Sequence, residues 1–384
     1  MEKINVWVIF GSRSVEHDVS ITSAYGVMKW LEKSGKYNIY PIYIKQDGKW
    51  IYNNDFQDIN NFKDTSKYDN LSFEIDMTSM KKFKFSQTKK WGMINKKETF
   101  ELDVVFLVLH GVKWEDGTIQ WIMELLDIPY VSTSVLGSAV WMNKALMKDV
   151  FKSNDIPITN YTVIYKDEDI DFEKLENTIK YPMFVKPCNL GSSIWISKAD
   201  NIEDLKNAIE IAFYFDNEVI IEQAVPKPIE LNCSVAQLHS EIITTHVEQP
   251  ITKEEFLTFT EKYVSTDGGT MQWVKNKVKI PADISPELTQ DIKSLTKKVY
   301  KILKCDGGAP RIDFLYDTVE NKLYVNEINT IPGVMQLHLW VRSGYDVSQW
   351  FDWLIQTAFD RVFQNQRNID FKSNIIDHTI EFKK

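Results

Sequence analysis

The sequence predicts an α/β domain built on a mostly parallel sheet, followed by two α+β units. Three observations predict it. Up to Val131, strand-length apolar runs alternate with segments of helical periodicity, the pattern of parallel strands joined by crossover helices. From Ser134 onward, short strands cluster around single helices instead. A length of 384 residues also leaves room for two or three units, because a domain takes roughly 100 to 200 residues.

Ile4 to Phe10 is an apolar, β-branched run, followed by the turn Gly11-Ser12-Arg13-Ser14 and by Val19, Ile21, Ala24, Val27, Met28 and Leu31 at helical spacing. This predicts strand, loop and helix. A second strand, Ile39 to Ile44, follows Gly35, and the Lys- and Asn-rich stretch 46–100 reads as an excursion from the core. Val104 to Leu109 is a buried-strand run, Ile119 to Leu126 a helix, and Pro129-Tyr130-Val131 a short strand. Val135 to Ser153 then reads as helical. Met183 to Pro187, Ile194 to Ser197 and Val219 to Gln223 read as strands around the helical stretch Ile202 to Phe213. The remainder predicts strands at Glu230 to Val235, Glu241 to His246, Ala309 to Tyr316 and Lys322 to Ile328. Helices are expected from Ser285 to Leu303 and from Val347 to Asn365. The expected boundaries divide the chain into residues 1–132, 133–222 and 223–384.

Composition narrows the functional classes. With 45 basic and 54 acidic residues the net charge is −9, a poor match to a phosphate polymer, so no nucleic-acid partner is expected. The longest apolar runs are strand-length, far short of the about 20 residues of a membrane span, and the N-terminus enters a strand without the pattern of a secretory signal. A cytoplasmic protein with no membrane partner is expected. Cys188, Cys233 and Cys305 are far apart, with no C-x-x-C pair, which points to reduced, buried thiols rather than a disulfide framework or a zinc site.

Four constellations carry chemistry. Lys186-Pro-Cys-Asn-Leu-Gly191-Ser192-Ser193 places a cation at a strand end before a turn whose amides and hydroxyls suit a phosphate; such a turn, taken alone, is more often a hairpin. Arg311-Ile-Asp313 and Glu327-Ile-Asn329 each place two polar residues on one strand face. Two carboxylates and an amide facing one space suit Mg²⁺, although charged strand faces are also commonly just solvated. Glu16-His17 follows the first strand, where α/β folds put ligand sites, and a Glu there also fits favourable charge at a helix N-terminus. His110-Gly111, followed by Glu115-Asp116-Gly117-Thr118, sits at another strand end, where a lone His is more often structural than a base.

Taken together, and with Met142-Asn-Lys144, Glu261-Lys262-Tyr263 and Asn326-Glu-Ile-Asn-Thr-Ile-Pro-Gly333, these segments resemble, in order and over nearly the whole chain, the D-alanine:D-alanine ligases of the ATP-grasp superfamily. The resemblance implies a three-domain architecture enclosing ATP, with D-alanine as the other substrate and a homodimer as the assembly. Lys144 and Lys186 would hold the α and β phosphates, Ser192 and Ser193 would line the phosphate loop, and Lys262 would reach the γ phosphate. Glu222 and Glu230 would lie near adenine and ribose, while Asp313, Glu327 and Asn329 would ligate Mg²⁺, or Mn²⁺ in its place. Glu16 would take the ammonium of the first D-alanine in a set with Ser192 and Tyr263, with His110 nearby; Arg311 and the Gly333 amide would stabilise the oxyanion. The implied reaction phosphorylates one D-alanine to an acyl phosphate, which the amine of the second attacks, giving the dipeptide used in peptidoglycan synthesis. An acyl phosphate would hydrolyse in water, so a closing loop is expected, and Phe256 to Met271 is the candidate.

Two departures from the family stand out. His338 occupies the place, five residues after Gly333, where many of these ligases carry a serine that helps bind the second substrate's carboxylate. D-Alanine is favoured there, with D-serine open. The second concerns tryptophan: 15 glycines are present where average usage predicts about 27, against 12 tryptophans. Trp114, Trp121 and Trp195 stand at glycine positions of the family, and Trp7 and Trp141 where small residues are usual. The hypothesis is that several are glycines encoded by UGA. If Trp114 and Trp195 are genuine and obstruct the site, an inactive nucleotide-binding homologue is the alternative.

Overall fold

A computed structural model describes residues 2–68, 71–76, 83–91, 94–191, 195–239, 241–251 and 278–365. The first part runs β1 (Ile4–Gly11), α1 (His17–Ser34), β2 (Tyr37–Ile44), β3 (Trp50–Tyr52), β4 (Leu71–Asp76), β5 (Phe83–Trp91), β6 (Ile94–Leu102), β7 (Val104–Leu109), α2 (Thr118–Leu125) and β8 (Tyr130–Val131). β1 pairs in parallel with β2 and β7, and β7 with β8, giving a sheet in the order β3-β2-β1-β7-β8 with β3 antiparallel at its edge. Every residue of β7 is buried, which is why its sequence is a continuous apolar run rather than an alternation. α1 stops at Gly35, whose left-handed φ of 69° lets its N–H bond back to Glu32.

The polar stretch 46–100 contains more order than its composition suggests. β4, β5 and β6 form an antiparallel three-stranded sheet. Aromatic contacts fasten it to the parallel sheet: Trp7 meets Phe85 edge-on at 4.3 Å, and Tyr52 meets Phe100 at 4.7 Å. Such a sheet needs only one apolar face, so its outer residues remain polar.

The middle part comprises α3 (Val135–Met142), α4 (Lys144–Ser153), β9 (Tyr161–Tyr165), α5 (Phe172–Thr178), β10 (Met183–Pro187), β11 (Ser197–Ala199), α6 (Ile202–Phe215) and β12 (Glu218–Gln223). The strands form an antiparallel sheet in the order β11-β10-β12-β9, with α6 against it. The helical stretch expected over Val135 to Ser153 divides into two helices. Asn143 adopts an extended backbone, and its side chain accepts the Leu146 N–H at 2.8 Å while donating to Glu218 at 2.6 Å, so it ends α3 and caps α4. The strand expected at Ile194 to Ser197 begins later, at Ser197, after Trp195 with φ 68°.

The last part contains β13 (Pro228–Leu238), β14 (Glu241–Thr244), β15 (Gln249–Pro250), β16 (Val278–Lys279), α7 (Pro286–Ile302), β17 (Arg311–Asp317), β18 (Lys322–Asn329), α8 (Leu337–Arg342) and α9 (Val347–Asn365). β14-β13-β17-β18 is an antiparallel sheet. α7 starts as its sequence dictates, with Ser285 accepting the Leu288 N–H and Pro286 in the first turn. One core cluster joins α1 and β1 to α8 and α9 through Trp340 and Trp350, both fully buried. Helices α8 and α9 therefore pack back on the first strand and helix, bringing the turn between β18 and α8 up to α1.

Candidate active site

The β17–β18 ladder sets the floor of the site. Arg311 pairs with Asn329 and Asp313 with Glu327 across the two strands, so all four lie on one face, as the two-residue spacing predicts. Arg311 grips Asp313 with two hydrogen bonds, Nε at 2.5 Å and Nη2 at 2.6 Å, the bidentate geometry that guanidinium and carboxylate favour. At the strand's end and in the turn after it, Asn329 Oδ1, Thr330 Oγ1 and Gln336 Oε1 are buried without hydrogen-bond partners. Buried oxygens of this kind are rare in folded proteins and mark places where a ligand, ion or water completes the site. Among the described residues no three His, Cys, Asp or Glu side chains form a metal cage, so a cation here would rest on two carboxylates and an amide.

A lysine cluster forms the second wall. Lys186, on β10, lies 3.1 Å from Glu222 Oε1, while Lys148 lies 3.1 Å from Glu222 Oε2. Burial pushes the Glu222 carboxyl up, but the two lysines outweigh it and hold it at about 2. Lys144, one helical turn before Lys148, donates to the Leu190 carbonyl. Burial pushes its ammonium below the usual range, and the charge of Glu327 works in the opposite direction. The β18 carboxylate acts in the same way on Lys148. Glu230 is half-buried on β13, paired with Leu315. The sequence reading omitted Lys148; its four-residue spacing from Lys144 on an amphipathic helix was the available signal.

Glu16, His110 and Glu115 meet at the C-terminal ends of β1 and β7. His110 Nδ1 is 3.7 Å from Glu115 Oε1, and Glu115 Oε2 accepts the Gly111 N–H at 2.7 Å. Glu16 is buried beside them: a Cβ on Gly111, where φ is 90°, would stand 3.5 Å from Glu16 Oε2 and only 2.4 Å from Ser14 Oγ. Burial opposes charge on His110, yet the hydrogen bond and charge of Glu115, with the charge of Glu16, raise its pKa. His17 is different. Its Nδ1 donates to the Ser12 carbonyl at 2.6 Å and its Nε2 accepts from Tyr43 Oη at 2.9 Å, a satisfied structural histidine.

Gly333 opens the turn after β18, with nothing within 4 Å of where a Cβ would stand. His338 Nε2 donates to Glu248 at 2.5 Å, and Glu248, 4% exposed, also accepts from Asn232 at 3.3 Å. Glu248 and Ser23, which accepts the Val334 N–H, were not among the residues singled out from sequence, since neither lies in a recognisable motif. Ser192, Ser193, Lys262 and Tyr263, with the segment 256–271 read as a closing loop, lie outside the described residues.

The tryptophans at glycine-like positions fall in different settings. Trp195 has a left-handed backbone, is 47% exposed and stacks on Phe215 at 3.9 Å. Trp121 is exposed on α2, and Trp114 and Trp141 are half-buried against apolar clusters. Trp7 is buried in the centre of β1.

Comparison with known proteins matches this arrangement along the chain. The family model described as D-ala D-ala ligase N-terminus matches residues 5–133, and that described as D-ala D-ala ligase C-terminus matches residues 150–356. The D-alanine–D-alanine ligase of Caldicellulosiruptor bescii is 38% identical over 375 residues, 94% of this chain and 96% of that one. That of Thermosipho melanesiensis is 35% identical over 373 residues, 97% and 98%. Among solved structures, the D-Ala:D-Ser ligase VanG of Enterococcus faecalis superposes with a TM-score of 0.77 at 30% identity, covering 93% of this chain and 99% of that one. The D-alanine-D-alanine ligase of Coxiella burnetii shares the fold at a TM-score of 0.79 and 24% identity over the whole of both chains. No helix among the described residues is long and apolar enough to cross a membrane. With its mostly parallel N-terminal sheet, its two four-stranded antiparallel sheets and a lysine cluster on which the carboxylate of the β17–β18 ladder acts, the chain belongs to the D-alanine–D-alanine ligase family, with the ATP-grasp architecture.

Proposed function

We propose that the chain is an ATP-dependent D-alanine:D-alanine ligase that makes the dipeptide for peptidoglycan synthesis through an acyl phosphate. The observation that carries this reading is the buried lysine cluster, with Lys148 and Lys186 each 3.1 Å from Glu222 and the charge of Glu327 acting on Lys144 and Lys148, together with a ladder that ends in unpartnered buried oxygens. Cations on one wall and hard oxygen donors on the other suit a polyphosphate with its divalent ion. Asn329 Oδ1, buried and without a hydrogen-bond partner, fits a ligand of Mg²⁺, or of Mn²⁺ in its place, together with Asp313 and Glu327. When bound, the ion neutralises phosphate charge and orients the transferring group.

The chain's own residues do the rest. Lys144 and Lys186 hold the α and β phosphates and Lys262 the γ phosphate, with Ser192 and Ser193 in the phosphate loop. Glu222 and Glu230 face the nucleoside. Glu16 receives the ammonium of the first D-alanine, with Ser192, Tyr263 and His110 about it. Arg311 and the Gly333 N–H stabilise the negative charge that develops on the attacked carbonyl. Domain limits of 1–132, 133–222 and 223–384, a homodimeric assembly and work in the cytoplasm complete the reading.

A second reading takes D-serine as the second substrate. His338, tied to Glu248, stands where a serine is usual, and the related VanG is named a D-Ala:D-Ser ligase. The deciding experiment is amino acid-dependent phosphate release from ATP and Mg²⁺, with D-alanine alone and with D-alanine plus D-serine, and the product identified by mass spectrometry. It is run on this chain and on one with Trp114, Trp121, Trp141 and Trp195 changed to glycine. D-Ala-D-Ala from either chain supports the ligase, and a mixed D-Ala-D-Ser product selects the second reading. No amino acid-dependent release from both leaves a nucleotide-binding homologue.

A further inference from the structure

Lys148 is a buried charge to which the mechanism above assigns no role. Its side chain is 1% exposed, a costly place for an ammonium unless it is fully partnered. Its Nζ lies 3.1 Å from Glu222 Oε2 and donates to Thr159 Oγ1 at 3.2 Å, and Thr159 donates in turn to Glu222 at 3.3 Å. The face of Tyr161 lies 5.7 Å away. Lys148 thus meets Glu222 from the protein interior, while Lys186, 13% exposed, meets it from the open side.

This arrangement answers an electrostatic problem. Were Lys186 alone with Glu222, its charge would be largely cancelled by that carboxylate, and little would be left for a phosphate. Lys148 removes the conflict, because the three lysines then outnumber Glu222 and Glu327 by one charge. We propose that Lys148 is a positioning residue of the nucleotide site: it neutralises Glu222 from behind and thereby leaves Lys186 available to a nucleoside triphosphate. The inference rests on the reading of this wall as the ATP site, and it is independent of which amino acids are joined.

The test measures ATP and adenosine affinity by calorimetry, and the KM values for ATP and D-alanine, in the full-length protein and its variants. Adenosine shares the base and ribose but carries no phosphate. Lys148→Met should weaken ATP binding and raise the ATP KM by at least about tenfold, the scale of one mis-set buried ion pair. Adenosine affinity and the D-alanine KM should stay within about twofold, inside the usual effect of a neutral substitution. Lys148→Arg should restore most of the loss. Adding Glu222→Gln to Lys148→Met removes the buried charge that needs a partner, and should recover ATP affinity relative to the single variant; this pair also serves if Lys148→Met alone does not fold. Equal weakening of ATP and adenosine, unchanged ATP affinity, or no recovery of ATP affinity in a double variant whose adenosine affinity holds would overturn the proposal while leaving the ligase reading intact. Absence of ATP binding in the unmodified protein would overturn both.

Discussion

Ser23 Oγ accepts the Val334 N–H at 3.0 Å and stands 3.5 Å from His110 Nε2. A single hydroxyl on α1 thus ties the turn after β18 to the histidine at the end of β7. The turn needs such support, since Val334, Met335 and Gln336 have φ of 48°, 53° and 50°, each in a region that costs a side-chain-bearing residue roughly 1–2 kcal/mol. Gly26 makes room for it: a Cβ there would meet Val334 Cγ1 at 2.9 Å. Backbone strain of this kind persists where the surroundings over-determine it, and it collects at functional sites. Ser23→Ala is expected to lower kcat by about tenfold, since one lost hydrogen bond also lets the turn proposed to hold the oxyanion shift, with the ATP KM little changed. A loss confined to the ATP KM would count against the clamp.

The unpartnered Asn329 Oδ1 sets stability against activity. Asn329→Leu keeps the shape and removes a buried oxygen with no hydrogen-bond partner, a change that is often neutral or stabilising. The melting temperature should therefore hold or rise, while the Mg²⁺ concentration for half-maximal activity should rise by about tenfold or more, as expected for a lost ligand. Parallel melting and Mg²⁺ titration curves decide it; an unchanged Mg²⁺ requirement would remove Asn329 from the metal site.

The His110–Glu115 pair should leave a signature in the pH dependence of stability. Burial lowers the His110 pKa, but Glu115 and Glu16 outweigh it and raise the value above 6.5. Burial likewise raises Glu115, against the hydrogen bond from His110. A raised folded pKa contributes stability that is fully present below the unfolded value and is lost as pH rises through the folded one. For His110 that window opens at 6.5 and runs upward. In Glu115→Gln the main raising influence is gone and burial dominates, so stability over neutral pH should rise with pH instead of falling. Melting temperatures against pH give the two slopes, and the same sign in both proteins would refute the pairing.

Glu248 makes the opposite case. Burial raises its pKa, but the His338 hydrogen bond and charge, followed by the charge of Arg311, bring it below 4.5. A depressed folded pKa contributes stability that is present above the unfolded value and lost as pH falls through the folded one. Glu248→Gln should thus cost about 1.5–3 kcal/mol at neutral pH, the range for a charge-assisted hydrogen bond, and less in acid. His338→Ser should change the ratio of D-alanine to D-serine incorporated by about tenfold, the scale of one or two hydrogen bonds at a specificity contact. An unchanged product ratio would show that His338 does not read the second substrate.

Local chemistry made much of this structure legible from sequence. The buried run Val104–Leu109 and the helix Val347–Asn365 appear where the pattern puts them, and the spacing of Arg311, Asp313, Glu327 and Asn329 foretold their shared face. What escaped depends on partners distant in the chain. Asn143 breaks a continuous helical pattern because it caps α4 while holding Asn189 and Glu218. β4 to β6 are anchored by aromatic rings on other strands. Lys148 reads as an ordinary helix-surface lysine until β12 brings Glu222 against it, and Ser23 meets a backbone amide 311 residues away.

Trp195 and Trp7 separate the two explanations of the tryptophan excess. At 195 the backbone has φ 68°, which costs an L-residue about 1–2 kcal/mol and glycine almost nothing. The stack on Phe215, at 3.9 Å with rings 19° apart, returns about 0.5–1.5 kcal/mol. The two contributions nearly cancel, so Trp195→Gly should leave the melting temperature within a few degrees. At residue 7 the indole is 3% exposed, in the middle of β1, and packs edge-on against Phe85. Deleting it leaves a cavity in the first sheet, so Trp7→Gly should cost at least about 3–5 kcal/mol, the loss seen when large buried aromatics are truncated. If UGA encodes some of these residues as glycine, the coding DNA should therefore carry UGA at 195 and UGG at 7. UGG at both would make the Trp195–Phe215 stack a genuine feature of the protein and end the decoding hypothesis where the backbone favours it most.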